Sequence, residues 1–68
     1  MKNTVRKNRE TKGITQGELA EELDVTRQTV NAIEQEKYSP SLELAIKFSD
    51  FFEKPVKKIF QSEGSGED

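Results

Sequence analysis

The stretch TQGELAEELDVTRQTVNAIE, residues 15–34, contains two helix starts only eleven residues apart. The first start is Thr15, which stands three residues before Glu18, the spacing of a capping box. The second start is Thr26. At both starts an apolar residue precedes the cap and another occupies the fourth helical position, which is the pattern of a hydrophobic staple. The staple pairs are Ile14 with Leu19, and Val25 with Val30.

The connection between these two helices consists of only Asp24 and Val25. So short a connection cannot lay two helices antiparallel, and it sets them at a steep angle, as in a helix-turn-helix. We therefore predict a helix over about 15–23 and a second one that starts at 26, with Val30 and Ile33 facing inward.

Three further helical segments flank this pair. A first helix is predicted over about 3–12, with Gly13 as its C-cap. Ser39-Pro40-Ser41 marks a new helix start, and Pro55 opens a last short turn. Period-2 alternation is absent over any useful length, so no strand is predicted. For segment 41–52, the pattern predicts one broad apolar face with Leu44 and Phe51 on the opposite side; that face holds Leu42, Ala45, Phe48, Ser49 and Phe52.

The composition limits the chain to one small domain. Hydrophobic residues make up 31% of the 68 residues and charged residues 35%. We predict a folded domain over 1–60, and a disordered tail over 61–68 that is rich in Gly, Ser and acidic residues. The absence of cysteine and histidine excludes disulfides and thiol nucleophiles, and it removes the commonest general base and metal ligand. We therefore expect no catalytic site, no metal and no cofactor, and the sequence implies no small-molecule ligand.

No apolar run approaches the roughly 20 residues that span a bilayer. The N-terminus also lacks the apolar core of a signal peptide. We expect no membrane association and a location in the cytoplasm.

Net charge is −2, which does not by itself favour nucleic acid. The charge is unevenly distributed, however. Residues 1–12 hold five basic residues and one acid, whereas the last eight residues hold three acids and no base. The argument for nucleic acid must therefore come from the motif.

The motif resembles the helix-turn-helix family of Cro and the phage repressors. The residues that carry the resemblance extend from Thr15 to Glu34 and on to Pro40, and the match covers about 5–60. The resemblance implies an all-α, compact five-helix bundle of the lambda-repressor type. In that arrangement the second helix crosses the DNA backbone and the third lies in the major groove.

The resemblance also implies roles for individual residues. Gln16 would lie near a phosphate, and Arg27 and Gln28 would reach base edges. Arginine can donate two hydrogen bonds to guanine, and glutamine can pair with adenine. Thr29 and Asn31 would lie close to these contacts, and Lys37 and Tyr38 would meet phosphate. Many family members pair an arginine in the first helix with a glutamate at the end of the third, and here those positions are Arg9 and Glu34.

The chain departs from the family pattern at three positions. Asp24 occupies a turn position that is usually glycine, and Asp tolerates a positive φ better than most residues. Glu36 replaces a glycine after the third helix, which weakens the cap and adds a negative charge near the DNA face. Asn8 replaces a leucine, so we expect a looser first helix.

The resulting prediction is a sequence-specific regulator, a repressor, that binds double-stranded DNA as a homodimer on an inverted repeat. Self-association would use Leu44, Phe51, Val56 or Phe60. The alternative is a protein-interaction module, an antitoxin or adaptor on the same helical scaffold.

Overall fold

The computed structural model describes residues 1–61, in which five helices and two short strands form. The predicted all-α, five-helix architecture is confirmed. The acidic tail from residue 62 onward lies outside the described residues. The helices are α1 (Val5–Lys12), α2 (Gln16–Leu23), α3 (Arg27–Glu34), α4 (Leu42–Phe52) and α5 (Val56–Ile59), and the strands are β1 (Lys2–Asn3) and β2 (Phe60–Gln61).

The two strands correct the expectation that the chain contains none. They pair antiparallel, with Lys2 opposite Gln61 and Asn3 opposite Phe60. Two residues are too few to show an alternating pattern. The pairing also joins residues from the two ends of the described chain, so no local sequence pattern predicts it. Consequently α1 begins at Val5 rather than at residue 3, and Gln61 belongs to the folded part of the chain.

The predicted helix caps are confirmed. The Thr15 hydroxyl accepts from the Glu18 backbone N–H at 3.0 Å, and the Glu18 carboxylate accepts from the Thr15 N–H at 2.9 Å. The Thr26 hydroxyl accepts from the Thr29 N–H at 3.2 Å. Gly13 ends α1 with φ +72°, a left-handed conformation that glycine adopts without steric cost.

One hydrophobic core joins all five helices. Phe48 lies near its centre and is fully buried, with ring centroids 6.2 Å from Phe52 and 5.3 Å from Phe60. Ile14 and Val25, the first members of the two staples, pack against this core. The buried apolar residues are Val5, Leu19, Ala20, Leu23, Val30, Ile33, Leu44, Ala45, Phe48, Phe52, Ile59 and Phe60.

The predicted orientation of α4 is wrong at two positions. Leu44 is buried in the core, whereas Leu42 is 73% exposed. The buried face consists of Leu44, Ala45, Phe48 and Phe52. Positions 44, 48 and 52 recur every four residues, which places them on one side of the helix. The sequence interpretation assigned Leu42 instead of Leu44 to the buried face. It did so because residues 42, 45, 49 and 52 also recur at helical spacing.

None of the helices within residues 1–61 is long and apolar enough to cross a membrane.

Candidate nucleic-acid interface

The N-terminal end of α3 protrudes with exposed polar side chains. Arg27 and Gln28 follow the Thr26 cap directly, and both are exposed. Together with Gln16 and Asn31 they line an open recess of about 370 Å³. Four of the seven predicted DNA-binding residues therefore share one surface.

The N-terminus of α2 lies beside that of α3. A methyl group at Gly17 would lie 3.9 Å from the Arg27 Cδ atom, so the arginine stem packs along the first turn of α2. Arg27 also shares a second recess with residues 13–17. Each helix N-terminus carries unpaired N–H groups and about half a positive charge. Two adjacent termini of this kind favour a phosphate group between or beside them.

Gln16 is held by hydrogen bonds from both sides. Its side-chain nitrogen donates to Glu34 Oε1 at 3.0 Å, and its side-chain oxygen accepts from Asn31 Nδ2 at 3.4 Å. Asn31 Oδ1 in turn accepts from Gln35 Nε2 at 3.1 Å. The side chain of Gln16 therefore links the start of α2 to two successive turns of α3.

The predicted pair of Arg9 and Glu34 is a two-pronged ion pair. Arg9 Nε lies 2.8 Å from Glu34 Oε2, and Arg9 Nη2 lies 3.2 Å from Oε1. The third arginine nitrogen donates to the Ile14 carbonyl at 2.9 Å. The side chains are only 13% and 4% exposed. This pair joins α1, the loop before α2 and the end of α3, so it fixes the platform on which Gln16 rests.

The hydrogen bonds to Glu34 raise the pKa of Arg9 above its ordinary value, while burial acts in the opposite direction. A cation whose folded-state pKa is raised contributes stability at every pH below its unfolded pKa. For arginine that unfolded value lies far above neutral pH, so the contribution is lost only in strongly alkaline solution. The arginine side of this pair is therefore insensitive to pH near neutrality.

The remaining predicted DNA contacts differ in accessibility. Thr29 is half-buried, and its hydroxyl lies 3.0 Å from that of Thr26. Lys37 and Tyr38 lie in the loop after α3, where both are exposed. Tyr38 has 49% of its surface accessible, which leaves the phenol free to meet a ligand.

The three departures from the family pattern have distinct structural outcomes. Asp24 adopts φ +58° and Glu36 φ +63°, so both occupy the left-handed conformation that glycine would favour. Asn8 is buried and donates to the Thr4 carbonyl and hydroxyl, each at 3.0 Å. The looseness expected of α1 stays a prediction.

Three residues near this surface escaped the sequence interpretation. Arg6 and Gln35 line a recess of about 270 Å³ together with Gln16 and Asn31. Asn3 donates to the Ile33 carbonyl at 2.8 Å and thereby ties β1 to the last turn of α3. Arg6 stands three residues before Arg9, a helical spacing that could have indicated a shared surface. Asn3 gave no such signal, because its partner is thirty residues away.

The four residues predicted for self-association lie in two environments. Leu44 and Phe60 are buried in the core of the single chain, while Phe51 and Val56 are partly buried against it. The Lys12 ammonium lies over the Phe51 ring, 5.1 Å from its centroid. The large apolar side chains that α4 exposes are instead Leu42 and Ile46.

A family model described as helix-turn-helix matches residues 5–59. The chain belongs to this helix-turn-helix family. The resemblance to Cro and the phage repressors is thereby confirmed, and the arrangement of α2 and α3 accounts for the match.

Three relatives are similar to this chain over 65–91% of their own length. A Methanocaldococcus jannaschii protein described as an uncharacterized HTH-type transcriptional regulator is 47% identical over 60 residues, which cover 88% of this chain and 91% of the relative. YgzD of Bacillus subtilis, described in the same words, is 45% identical with the same coverage of each chain. A Methanothermobacter thermautotrophicus protein with that description is 53% identical over 45 residues, 66% of this chain and 65% of the relative.

Proposed function

We propose that this chain is a transcriptional regulator that binds double-stranded DNA in a sequence-specific manner and inserts the N-terminal end of α3 into the major groove. The observation that carries the proposal is the exposed pair Arg27 and Gln28 beside the N-terminus of α2. The membership in the helix-turn-helix family and the description of the relatives as transcriptional regulators support it.

Each surface residue has a role in this proposal. Arg27 and Gln28 read base edges, where a good contact contributes roughly 1–3 kcal/mol of discrimination. Gln16, Lys37 and Tyr38 contact phosphates and set the register of the helix on the duplex. Thr29 and Asn31 line the contact from the body of α3. The Arg9–Glu34 pair holds Gln16 in place and does not itself meet DNA.

The proposed regulator is a repressor that acts as a homodimer on an inverted repeat. One eight-residue helix makes few base contacts, and two copies related by a two-fold axis read half-sites about 34 Å apart or a multiple of that. The exposed apolar pair on α4, Leu42 and Ile46, is the surface we propose for self-association.

Selection of bound sequences from a random duplex library tests the reading residues. The unsubstituted chain should select an inverted repeat, and Arg27→Ala and Gln28→Ala should each relax the preference at particular positions. Lys57→Ala is the matched control, because it removes the same charge as Arg27→Ala from an exposed position on α5. The assignment is refuted if both α3 variants select the same sequences as the unsubstituted chain.

A protein-interaction module remains the second candidate, and the exposed surface of Leu42 and Ile46 is the observation that favours it. A salt titration separates the two functions. The logarithm of a DNA affinity falls with the logarithm of salt concentration by about 0.9 per phosphate neutralised. An apolar protein contact lacks this dependence.

A further inference from the structure

A recess of about 430 Å³ lies between α1 and α5. Three lysines line it, and none of them forms an ion pair within residues 1–61. Among residues 1–61, no carboxylate belongs to its lining. The lining residues are Thr4, Lys7, Asn8, Thr11, Lys54, Pro55 and Lys58.

Side-chain hydroxyl groups fix the backbone at each of these lysines. The Thr11 hydroxyl donates to the Lys7 carbonyl at 2.9 Å, and that of Thr4 donates to the Lys58 carbonyl at 3.1 Å. The Ser49 hydroxyl donates to the Lys54 carbonyl at 2.6 Å. The three cationic side chains therefore extend from backbone positions that these hydrogen bonds fix.

A chain of hydrogen bonds links three of the residues that line the recess, Asn8, Thr4 and Lys58. The amide nitrogen of the buried Asn8 donates to the Thr4 hydroxyl, which donates in turn to the Lys58 backbone carbonyl. The Thr4 backbone N–H also donates to the Ile59 carbonyl at 2.9 Å. Asn8 therefore bonds to Thr4, and Thr4 makes the link to α5.

The recess faces away from the proposed DNA surface. Lys7 and Thr11 lie four residues apart on one edge of α1, and Thr4, the residue that caps the helix, lies three residues before Lys7. The residues of α1 that line the recess beside Gln16 are Arg6 and Arg9, on another edge. The cationic charge of this recess is therefore separate from the contacts assigned to the duplex.

We propose that this recess binds a small anion that carries two or more phosphoryl groups. Its volume lies near the lower end of the range for small-molecule sites, about 300–1,000 Å³. Three ammonium groups that form no ion pair with the described part of the chain match the multiple charges of such an anion, and lysine contacts to phosphate are charge-assisted hydrogen bonds. The site is a property of the chain that stands apart from its proposed DNA reading.

Calorimetric titration of the full chain with inorganic triphosphate tests this site. A comparison series with sodium chloride at equal ionic strength measures general screening. Lys7→Gln/Lys58→Gln should weaken triphosphate binding by about tenfold or more, because each contact is a charged hydrogen bond. Lys2→Gln/Lys57→Gln is the matched control, because it removes the same charge from exposed residues outside the recess. The control should bind as the unsubstituted chain does.

Three outcomes would overturn the proposal. One is an equal loss in the two double variants, which would mean non-specific attraction. Another is no binding of triphosphate beyond the effect of chloride. The last is a selective loss of duplex affinity in Lys7→Gln/Lys58→Gln relative to Lys2→Gln/Lys57→Gln, which would assign the recess to the DNA backbone. Circular dichroism of each variant ensures that only folded chains are compared.

Discussion

At the scale of single residues, the Arg9–Glu34 pair affects both the stability of the domain and the proposed DNA surface. The two charges are almost withdrawn from water, so their mutual hydrogen bonds must offset a large desolvation cost. The same glutamate accepts from Gln16, a proposed phosphate contact. A change at Glu34 therefore acts on both the stability of the domain and the geometry of its proposed DNA surface.

Glu34→Ala should lower the free energy of unfolding by about 3–5 kcal/mol, because the largely buried Arg9 loses the carboxylate that balances its charge. The double variant Arg9→Met/Glu34→Leu should recover most of that loss, since apolar residues carry no charge to desolvate. Urea denaturation followed by circular dichroism measures both. Equal losses in the single and the double variant would show that the cost does not come from an unpaired charge.

Glu36→Gly should stabilise the domain and strengthen DNA binding. Glu36 has φ +63°, where a Cβ atom destabilises the fold by roughly 1–2 kcal/mol. Glycine removes this strain, but it also raises the backbone entropy of the unfolded chain, which offsets part of the stabilisation. The net expectation is about 0.5–1 kcal/mol. The affinity for DNA should rise because a negative charge leaves the loop that carries Lys37 and Tyr38.

Glu53→Gly is the matched control for that prediction. Glu53 has φ +57° and also ends a helix, but it lies between α4 and α5. Both variants should raise the thermal midpoint, and only Glu36→Gly should raise DNA affinity in a binding assay at fixed salt. A similar rise in affinity for both would attribute the effect to net charge alone.

At the scale of elements, α3 depends on its cap. The helix has only eight residues, and isolated helices of that length are unstable in water. Its stability comes from the burial of Val30 and Ile33 against the core and from the Thr26 side chain at its exposed end. The end that presents Arg27 and Gln28 is thus the end at which packing is weakest.

Thr26→Ala should cost about 1 kcal/mol, because the Thr29 N–H loses its side-chain acceptor. For a domain of this size that corresponds to a fall of roughly 4–8 °C in the thermal midpoint. Thr26→Ser keeps the hydroxyl and should retain nearly the full midpoint. If the serine variant loses as much as the alanine variant, the methyl group rather than the cap accounts for the effect.

The caps also explain which elements were predictable. The capping residues Thr15, Thr26 and Gly13 form hydrogen bonds to groups within four residues of themselves. Their partners can therefore be predicted from the sequence. The side of α4 that faces the core could not be predicted in this way. Leu42 and Leu44 are both leucines near the same helix start, and only the position of the neighbouring helices decides which of them faces the core.

At the scale of the whole molecule, the exposed pair Leu42 and Ile46 lies one turn apart on α4, with 73% and 48% of their surfaces accessible. Burial of a Leu or Ile side chain stabilises by about 1.5–3 kcal/mol. A two-fold interface would bury four such side chains. The geometry of an inverted repeat requires such a two-fold pair.

Ile46→Lys should therefore convert a dimer into a monomer at tens of micromolar chain, as measured by sedimentation equilibrium. Gln61→Lys adds the same charge at an exposed position of β2 and should leave the dimer intact. A monomeric unsubstituted chain, with and without DNA, would contradict the proposed homodimer. A dimer that survives Ile46→Lys would place the interface elsewhere.

The sequence by itself determined the local features of this protein: the helix starts, the short turn at Asp24, and the order in which Arg27 and Gln28 follow a cap. These depend on backbone groups a few residues away. Tertiary structure decided the strand pairing of Lys2–Asn3 with Phe60–Gln61, the buried side of α4 and the gathering of three lysines between α1 and α5. Each of these joins segments or helices that are distant in the chain, and such contacts depend on how the whole core packs.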